Sequence, residues 1–198
     1  TRLDARSLTR EQQADFRVSD AQDARGARMQ RLCAAVQFAL PGVPSIYYGD
    51  EAGMNGMLDP LDRAPFAEGA RPLTDWYRKL SAARSGHDAL SVGAAAFSAP
   101  DPDILCVLRC IRGGRDVFGE PAADGAFLLC VNRAAEPRRA VADLWLENAG
   151  LAREDVRALR ERNHTGGACL LTGRSLRVSD GLAELDLPPE TACLFELT

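Results

Sequence analysis

The sequence has few of the features that would let it bind nucleic acid, span a membrane or hold a metal ion. Its 198 residues carry a net charge of -4 with a pI near 5.3, so it lacks the basic excess of a nucleic-acid-binding surface. No apolar run approaches the length of a membrane span, and no secretory leader opens the sequence. Two histidines and no C-x-x-C pair argue against a metal site. We therefore expect no nucleic-acid or membrane partner, no metal and no cofactor.

Six cysteines occur, at positions 33, 106, 110, 130, 169 and 193. Cys106 and Cys110 share one face of a predicted strand with Leu108, and Cys33, Cys130 and Cys193 lie within apolar runs. Each cysteine is therefore interpreted as a small buried apolar residue. Free thiols favour a reducing cytoplasm, while the even number of cysteines leaves disulfides open.

One stretch combines a short apolar run with polar groups at its end. It reads Leu40-Pro-Gly-Val-Pro-Ser-Ile-Tyr-Tyr-Gly-Asp-Glu51 and is followed by Asp59-Pro-Leu-Asp-Arg63. The run from Val43 to Tyr48 is rich in β-forming residues and is bounded by glycines, which predicts a buried parallel strand. In an α/β barrel, the polar side chains after such a strand stand at the catalytic rim. These side chains are Asp50, Glu51, Asp59 and Arg63.

At these residues the chain resembles the α-amylase superfamily of glycoside hydrolases. In that superfamily the eighth barrel strand reads close to L-P-G-x-P-x-x-Y-Y-G-D-E, and a D-P-x-x-R element follows. The chain is most similar to the neopullulanase, cyclomaltodextrinase and α-glucosidase group. Asp75-Trp-Tyr-Arg-Lys-Leu80 and Ser85-Gly-His-Asp-Ala-Leu90 resemble the helix that this group places after strand eight. The resemblance covers roughly residues 20 to 100 and extends weakly beyond them.

The resemblance implies an α/β part followed by an all-β part. Residues 1–90 would be the last helix, strand and helix of a (β/α)8 barrel, and residues 91–198 a C-terminal antiparallel β-sandwich. From about Ser91 the periodicity does change from helical to alternating. Predicted strands cover 104–111, 126–131, 140–146, 168–171, 182–187 and 192–197, a spacing typical of a sandwich. The charged segment 151–163 is predicted to be an inserted, solvent-exposed helix.

Two helices are predicted within residues 1–90. Ser19 and Gln22 have the spacing of a capping box at the start of the first helix. Its apolar residues recur three and four positions apart: Met29, Leu32, Cys33, Val36 and Leu40. The second helix starts at Pro72 and stops at Gly86. Its predicted inner face consists of Leu73, Trp76, Tyr77, Leu80 and Ala83.

The catalytic groups that the resemblance implies lie outside this chain. A complete barrel needs about 250 residues, more than the 198 present. Retaining hydrolysis uses a carboxylate nucleophile and a second carboxyl group as acid and base, which the superfamily places on barrel strands that would precede Thr1. We therefore expect the C-terminal fragment of a retaining hydrolase that acts on α-glucosidic bonds of α-glucans or maltooligosaccharides. We expect the isolated chain to be inactive.

Asp59 and Arg63 are the candidate substrate-binding residues. In the resembling group this pair binds the sugar on the non-reducing side of the cleaved bond, and an acid acceptor beside a forked donor suits vicinal hydroxyls. The alternative is an exposed salt bridge in a loop. Asp50 and Glu51 are expected to support the rim by orienting their neighbours.

Other features have simpler interpretations. His87-Asp88 spells the superfamily's His-Asp pair but follows the second helix, so we expect it to be non-catalytic. Tyr47 and Tyr48 could stack on a sugar, yet a barrel strand favours burial in the core. The alternative for the chain as a whole is a non-catalytic homologue or a structural or carbohydrate-binding module. A barrel fragment would also expose apolar surfaces and unpaired strand edges through which it could associate.

Overall fold

The computed structural model of the chain describes residues 5–56, 59, 63–66, 71–144 and 166–198. A 3₁₀ turn at Ala5–Ser7 precedes four helices, α1 (Arg10–Asp15), α2 (Asp20–Ala39), α3 (Arg71–Gly86) and α4 (Asp88–Val92). Eight strands follow: β1 (Ala94–Asp101), β2 (Ile104–Ile111), β3 (Gly125–Asn132), β4 (Arg138–Asp143), β5 (Gly166–Cys169), β6 (Ser175–Ser179), β7 (Leu182–Leu187) and β8 (Thr191–Leu197). None of the helices described combines the length and apolar character that a membrane crossing requires.

Helix α2 begins as its sequence predicts. The Ser19 hydroxyl accepts a hydrogen bond from the Gln22 amide at 3.3 Å, and the Gln22 side chain accepts one from the Ser19 amide at 2.9 Å, so the capping box is confirmed. The prediction that Cys33 and Leu40 are buried is wrong, because both are exposed. The buried side chains are instead Leu32, Ala34, Ala35, Phe38 and Ala39. Three alanines let this face approach the sheet closely.

Helix α3 confirms the second predicted helix and packs against α2. Of its predicted inner face, Leu73, Tyr77, Leu80 and Ala83 are buried. Trp76 is half-buried, and its indole N–H donates to the Arg31 carbonyl of α2 at 3.0 Å. Trp76 is only half-buried because its indole N–H must lie at the boundary between the two helices to make this hydrogen bond.

The predicted buried strand from Val43 to Tyr48 does not form. The segment is irregular and pairs with no other strand among the described residues. Val43 is 94% exposed, and Ile46, Tyr47 and Tyr48 are exposed as well. A parallel strand is stabilised by hydrogen bonds to neighbours and by cover on both faces. The described part of the chain supplies neither to this segment.

The eight strands form one antiparallel sheet in the order β1-β2-β3-β8-β5-β6-β7-β4. The antiparallel character and most strand positions are as predicted, and β2 and β7 match their predicted ranges residue for residue. The predicted antiparallel β-sandwich is confirmed in its coarser form, as an antiparallel sheet of eight strands. Pairing is continuous from β3 through β8 to β5, and the outer strands β1 and β4 contact each other. The sheet therefore curls until it is nearly closed.

The sequence prediction missed two strands. Strand β1 is rich in alanine and contains a proline, and β6 is short and polar on one face, so neither carries a strong apolar signal. The strand predicted at 140–146 runs instead over Arg138–Asp143. The predicted helix at 151–163 lies outside the described residues.

One hydrophobic core joins the helices to the sheet. It contains buried residues of α2, α3 and α4 together with residues of every strand. Strand β3 is buried along almost its whole length because α2 and α4 cover one face and the curled sheet encloses the other. The sheet begins at Ala94, near the predicted change of periodicity at Ser91. The division into separate domains at residue 90 stays a prediction.

Arg84 of α3 binds the carboxyl end of α2. Its guanidinium donates to the carbonyls of Phe38 at 2.5 Å and Leu40 at 3.0 Å, and also to the carbonyl of Gly42. The last carbonyls of a helix have no partners within the helix and carry partial negative charge. A buried cation therefore takes the role that a glycine cap often has.

Arg109 of β2 binds the same helix end from the sheet side. Its side chain is 1% exposed and donates to the carbonyls of Ala39 and Gly93, each at 2.8 Å. Burial, with the nearby charge of Arg84, lowers the pKa of Arg109 to about 10, so the guanidinium is still charged at neutral pH. The two arginines join α2, α3 and the sheet at one point, from which the exposed segment after α2 departs.

Candidate functional site

A tight turn follows the exposed segment and carries the two predicted rim carboxylates. The Asp50 amide donates to the Tyr47 carbonyl at 3.1 Å, and the Met54 amide donates to the Gly49 carbonyl at 2.9 Å. Gly49 has a φ of 93°, and a Cβ at this position would lie 2.7 Å from the Met54 sulfur. Both the backbone angle and this close approach require glycine.

Two helices hold the turn through its carbonyl groups. The Gln30 side chain of α2 donates to the Asp50 carbonyl at 2.7 Å. The Thr74 hydroxyl of α3 donates to the Glu51 carbonyl at 2.8 Å. Consecutive carbonyls are thus bound from two directions, which fixes the position of the turn relative to both helices.

The two carboxylates of the turn lie in different environments. The Glu51 carboxylate accepts a hydrogen bond from the Gly49 amide at 3.1 Å, so it stabilises its own turn. Asp50 is half-buried, and its pKa is raised above the ordinary value. Burial is the main cause and the charge of Glu51 adds to it, while a hydrogen bond with the Tyr47 backbone acts in the opposite direction. The expected role of both residues as support for a rim stays a prediction.

Beside the turn lies an open depression of about 500 Å³. Gln30, Asp50, Met54 and Tyr77 are among the residues that line it. Burial raises the pKa of Tyr77; a hydrogen bond with Gln30 lowers it, and the charges of Asp50 and Glu51 raise it. The depression therefore combines a phenol, an amide and a carboxyl group, which are the groups that bind hydroxyl-rich ligands.

Asp59 and Arg63, the predicted substrate-binding residues, form an ion pair with each other. The Arg63 Nε lies 2.7 Å from an Asp59 carboxylate oxygen, and the side chains are 69% and 62% exposed. The structure therefore brings the two residues together, in the geometry of the exposed salt bridge considered as the alternative. Such a pair contributes about 0 to 1 kcal/mol to stability. Binding of substrate by these residues stays a prediction.

Tyr47 and Tyr48 form an exposed aromatic pair. Their rings are 5.0 Å apart with an angle of 44° between the planes, and the residues are 54% and 43% exposed. The Tyr48 hydroxyl donates to the Ala64 carbonyl at 3.2 Å. The prediction that these rings lie in the core is wrong, because the described residues do not cover the segment that carries them.

His87 and Asp88 have structural contacts. The His87 Nδ1 lies 2.8 Å from the Ala83 carbonyl of α3, and its ring lies 4.6 Å from the ring of Phe127. The Asp88 carboxylate accepts a hydrogen bond from the Ala123 amide at 2.8 Å. The pair fastens α4 to the sheet and to the loop before β3.

The residues that position the turn and the helix end were not predicted from the sequence. Gln30 and Thr74 lie on otherwise ordinary helices and gave no signal. Arg109 did give one, because it is the single charged residue in the apolar run of β2. No group of three or more potential metal ligands occurs among the described residues.

Comparison with known proteins gives relatives of much greater length. No protein-family model matches the chain. An amylopullulanase of Thermoanaerobacterium thermosulfurigenes is 32% identical over 127 residues, which are 63% of this chain and 7% of that protein. An amylopullulanase of Thermoanaerobacter thermohydrosulfuricus is 28% identical over 153 residues, 76% of this chain and 9% of that protein. The chain thus spans less than a tenth of the length of these two relatives.

Solved structures show the same fold. The α-amylase of Geobacillus thermoleovorans, in complex with acarbose, superimposes with a TM-score of 0.67 at 20% identity. The superposition covers 87% of this chain and 33% of the amylase. The α-amylase of Anoxybacillus gives a TM-score of 0.65 at 20% identity, covering 85% of this chain and 32% of that one.

Proposed function

The chain belongs to the α-amylase superfamily of glycoside hydrolases, and from this membership we propose that it is the C-terminal part of an enzyme that hydrolyses α-glucans or maltooligosaccharides. The observation that carries the proposal is the 32% identity to an amylopullulanase over 127 residues. The substrate is an oligosaccharide or polysaccharide of α-linked glucose; a structurally similar protein, AmyP, is known in complex with maltotriose.

In this proposal the turn at Asp50 and the pair Asp59–Arg63 stand at the rim of a substrate cleft that other parts of a longer protein complete. The carboxylate nucleophile and the acid/base lie outside this chain, and the mechanism is retaining. The hydrogen bonds from Gln30 and Thr74 support this proposal, because they hold the turn in place independently of any substrate. Arg63 binds a sugar hydroxyl when substrate is present, with Asp59 as its neighbouring acceptor.

The exposed apolar surfaces supply the partner contacts that the proposal needs. An apolar groove of about 640 Å³ lies between α2 and strands β2 and β3, lined in part by Met29, Val36 and Leu105. Together with the unpaired segment at Val43, this groove is where we place the rest of the barrel. The isolated chain should therefore bind a hydrophobic dye and self-associate. A monodisperse monomer without dye binding, measured by light scattering and fluorescence, would contradict this placement.

The first test concerns catalysis by the chain alone. Purified chain should release no glucose from maltotriose, because the reacting carboxylates are absent from it. Activity that stays with the protein through successive purification steps would contradict this part of the proposal.

The second test replaces Arg63 in the longer enzyme that the proposal requires. Loss of charged hydrogen bonds to substrate, each worth about 1.5 to 3 kcal/mol, should make Arg63→Ala lower kcat/KM roughly ten- to a hundred-fold. Asp59→Asn should have a related effect, and the double variant should fall short of additivity because both residues serve one sugar. Folding should change little.

Arg78→Ala is the matched control for this test. Arg78 pairs with Asp75 at 3.0 Å on α3, and the two side chains are 74% and 64% exposed, close to the values for Arg63 and Asp59. The control should keep normal kcat/KM. Normal kcat/KM in a folded Arg63→Ala enzyme would remove Arg63 from the substrate site.

A carbohydrate-binding module is the second candidate, and the exposed pair Tyr47–Tyr48 favours it. Exposed aromatic faces bind the apolar face of a sugar ring. Affinity electrophoresis in gels containing amylose separates this candidate from the first. A module should be retarded, and Tyr47→Ala should abolish the retardation while Phe97→Ala, at an equally exposed aromatic elsewhere, should not.

A further inference from the structure

Four buried cysteines lie side by side on neighbouring strands. They are Cys106 on β2, Cys130 on β3, Cys193 on β8 and Cys169 on β5, and each is at most 3% exposed. Cys106 and Arg109 lie on opposite faces of β2, because three positions separate them along a strand. Arg109 donates to α2, so the cysteines occupy the other face, which the curled sheet encloses.

The strand register distinguishes between the possible thiol pairs. Cys130 is directly opposite Cys106 on one side and Cys193 on the other. Asp103 immediately precedes β2 and is opposite Arg133. The Arg133 amide donates to the Asp103 carbonyl at 3.0 Å, so these two residues form a hydrogen-bonded pair of the antiparallel ladder. Such pairs alternate with non-hydrogen-bonded pairs, so Cys106 and Cys130 form a non-hydrogen-bonded pair and Cys130 and Cys193 a hydrogen-bonded one. The Cα atoms are about 1 Å closer in the first kind.

The sulfur atoms agree with this distinction. Cys106 Sγ and Cys130 Sγ lie 3.7 Å apart, in hydrogen-bonding contact. A disulfide bond of about 2.05 Å requires Cα atoms about 4.4 to 6.8 Å apart, and a directly opposed pair satisfies this condition. Cys169 is opposite Phe195 and therefore diagonal to Cys193. These two thiols also share a hydrogen bond, but the Cα atoms of a diagonal pair lie roughly 7 to 8 Å apart, a separation that a disulfide does not span without backbone movement.

The two thiols of this pair differ in acidity. Its hydrogen bond with Cys130 lowers the pKa of Cys106, whereas burial raises the pKa of Cys130. Nucleophilic attack by sulfur requires the thiolate, so Cys106 is suited to react first and Cys130 second.

We propose that Cys106 and Cys130 are a site of oxidation by hydrogen peroxide, at which an intramolecular disulfide forms across β2 and β3. The Cys106 thiolate attacks a peroxide oxygen, the O–O bond breaks, and the departing hydroxide takes up a proton to become water. The Cys130 sulfur then attacks the resulting sulfenic sulfur and forms the S–S bond, while the S–O bond breaks and the departing hydroxide takes up the Cys130 proton to become a second water. Two thiols and one peroxide become one disulfide and two waters.

The experiment uses the full chain with Cys33→Ser, because Cys33 is exposed and would otherwise react first. This change leaves five of the six cysteines. After treatment with hydrogen peroxide and denaturation, thiol titration should find three thiols where the untreated chain has five. Peptide mapping by mass spectrometry without reduction should recover the peptides of Cys106 and Cys130 linked, with the loss of two hydrogen atoms, and a reductant should separate them.

Two further variants test the choice of partners. Cys193→Ala should keep the link, whereas Cys130→Ala should abolish it. If Cys130→Ala fails to fold, the peptide map of the Cys33→Ser chain decides. A link to Cys193, Cys169 or Cys110, a link between two chains, or five thiols surviving a treatment that oxidises the exposed Cys33 of the unmodified chain would each overturn the proposal.

Discussion

The curled sheet and the segment from 41 to 48 differ in the partners that surround their backbone groups and apolar side chains. Every strand of the sheet is paired, and the side chains of β3 are buried on both faces. The segment pairs with no strand among the described residues, and Val43 at its start is 94% exposed. The described residues therefore supply the sheet with strand partners and cover, and they supply neither to the segment.

Helix α2 belongs to both regions. Its alanine-rich face packs on β3 and β8, and Arg84 and Arg109 hold its carboxyl end. The neighbouring face, with Met29 and Val36, lines an open apolar groove. One face of α2 is thus covered by the sheet, whereas the neighbouring face is open in the part of the chain that the structure describes.

The largest expected effect comes from the core of the sheet. Phe127 is 1% exposed, so Phe127→Ala should lower the free energy of unfolding by about 3 to 5 kcal/mol through loss of burial and creation of a cavity. Val43→Ala should change it by less than about 0.5 kcal/mol, because this side chain is exposed. Urea unfolding followed by circular dichroism measures both. Equal losses would refute the contrast between the two regions.

The buried junction between the regions should come second. Arg109→Met removes the hydrogen-bond donor of two buried carbonyls, those of Ala39 and Gly93. Both carbonyls belong to the backbone and stay in place, so they lose their partner. Since an unsatisfied buried acceptor costs about 1 to 3 kcal/mol, we expect a loss of about 2 to 4 kcal/mol. Arg139→Met is the control, because Arg139 is 84% exposed in a pair with Asp186. If Arg109→Met lowers the free energy of unfolding no more than Arg139→Met does, water must hydrogen-bond to the two carbonyls in place of Arg109.

The smallest effect should come from the ion pairs at the rim of the sheet. Hydrogen bonds from Arg138 and Arg133 lower the pKa of Asp103 below its ordinary value of 3.8. The resulting stabilisation is present above that value and is lost as the pH falls through the lower, folded-state pKa. Asp103→Asn should therefore reduce stability at neutral pH and flatten the acid dependence, as thermal unfolding from about pH 7 to pH 3 will measure. An unchanged acid dependence would contradict this assignment.

Local signals in the sequence predicted the helices and several strands correctly. The capping box of Ser19 and Gln22 depends only on residues within one turn, and it marks the start of α2. Strand β2 has an apolar run interrupted only by Arg109, and its predicted range was correct. Antiparallel strands joined by short loops pair with neighbours that are close in sequence, so the apolar pattern of the local sequence is enough to predict them.

Features that depend on distant contacts were predicted poorly. The run at Val43–Tyr48 has the composition of a buried strand, but composition does not supply the neighbours that bury it. The exposure of Cys33 depends on how α2 rotates against the sheet, which its apolar stripe did not specify. For the candidate site, the sequence singled out Asp50 and Glu51 as polar residues that follow the apolar run, and their support for a rim stays a prediction. It did not reveal Gln30 and Thr74 as the residues that hold the turn on which both lie.

The strand order has a consequence for synthesis on the ribosome. Strand β8, at 191–197, lies between β3 and β5, so it joins the three-stranded meander β1-β2-β3 to the other four strands. The meander can form early, since its contacts are close in sequence, but the centre of the sheet stays vacant until residues near 197 have left the exit tunnel. Until then β3 and β5 present open edges to other nascent chains, so this is the interval in which a chaperone would matter most.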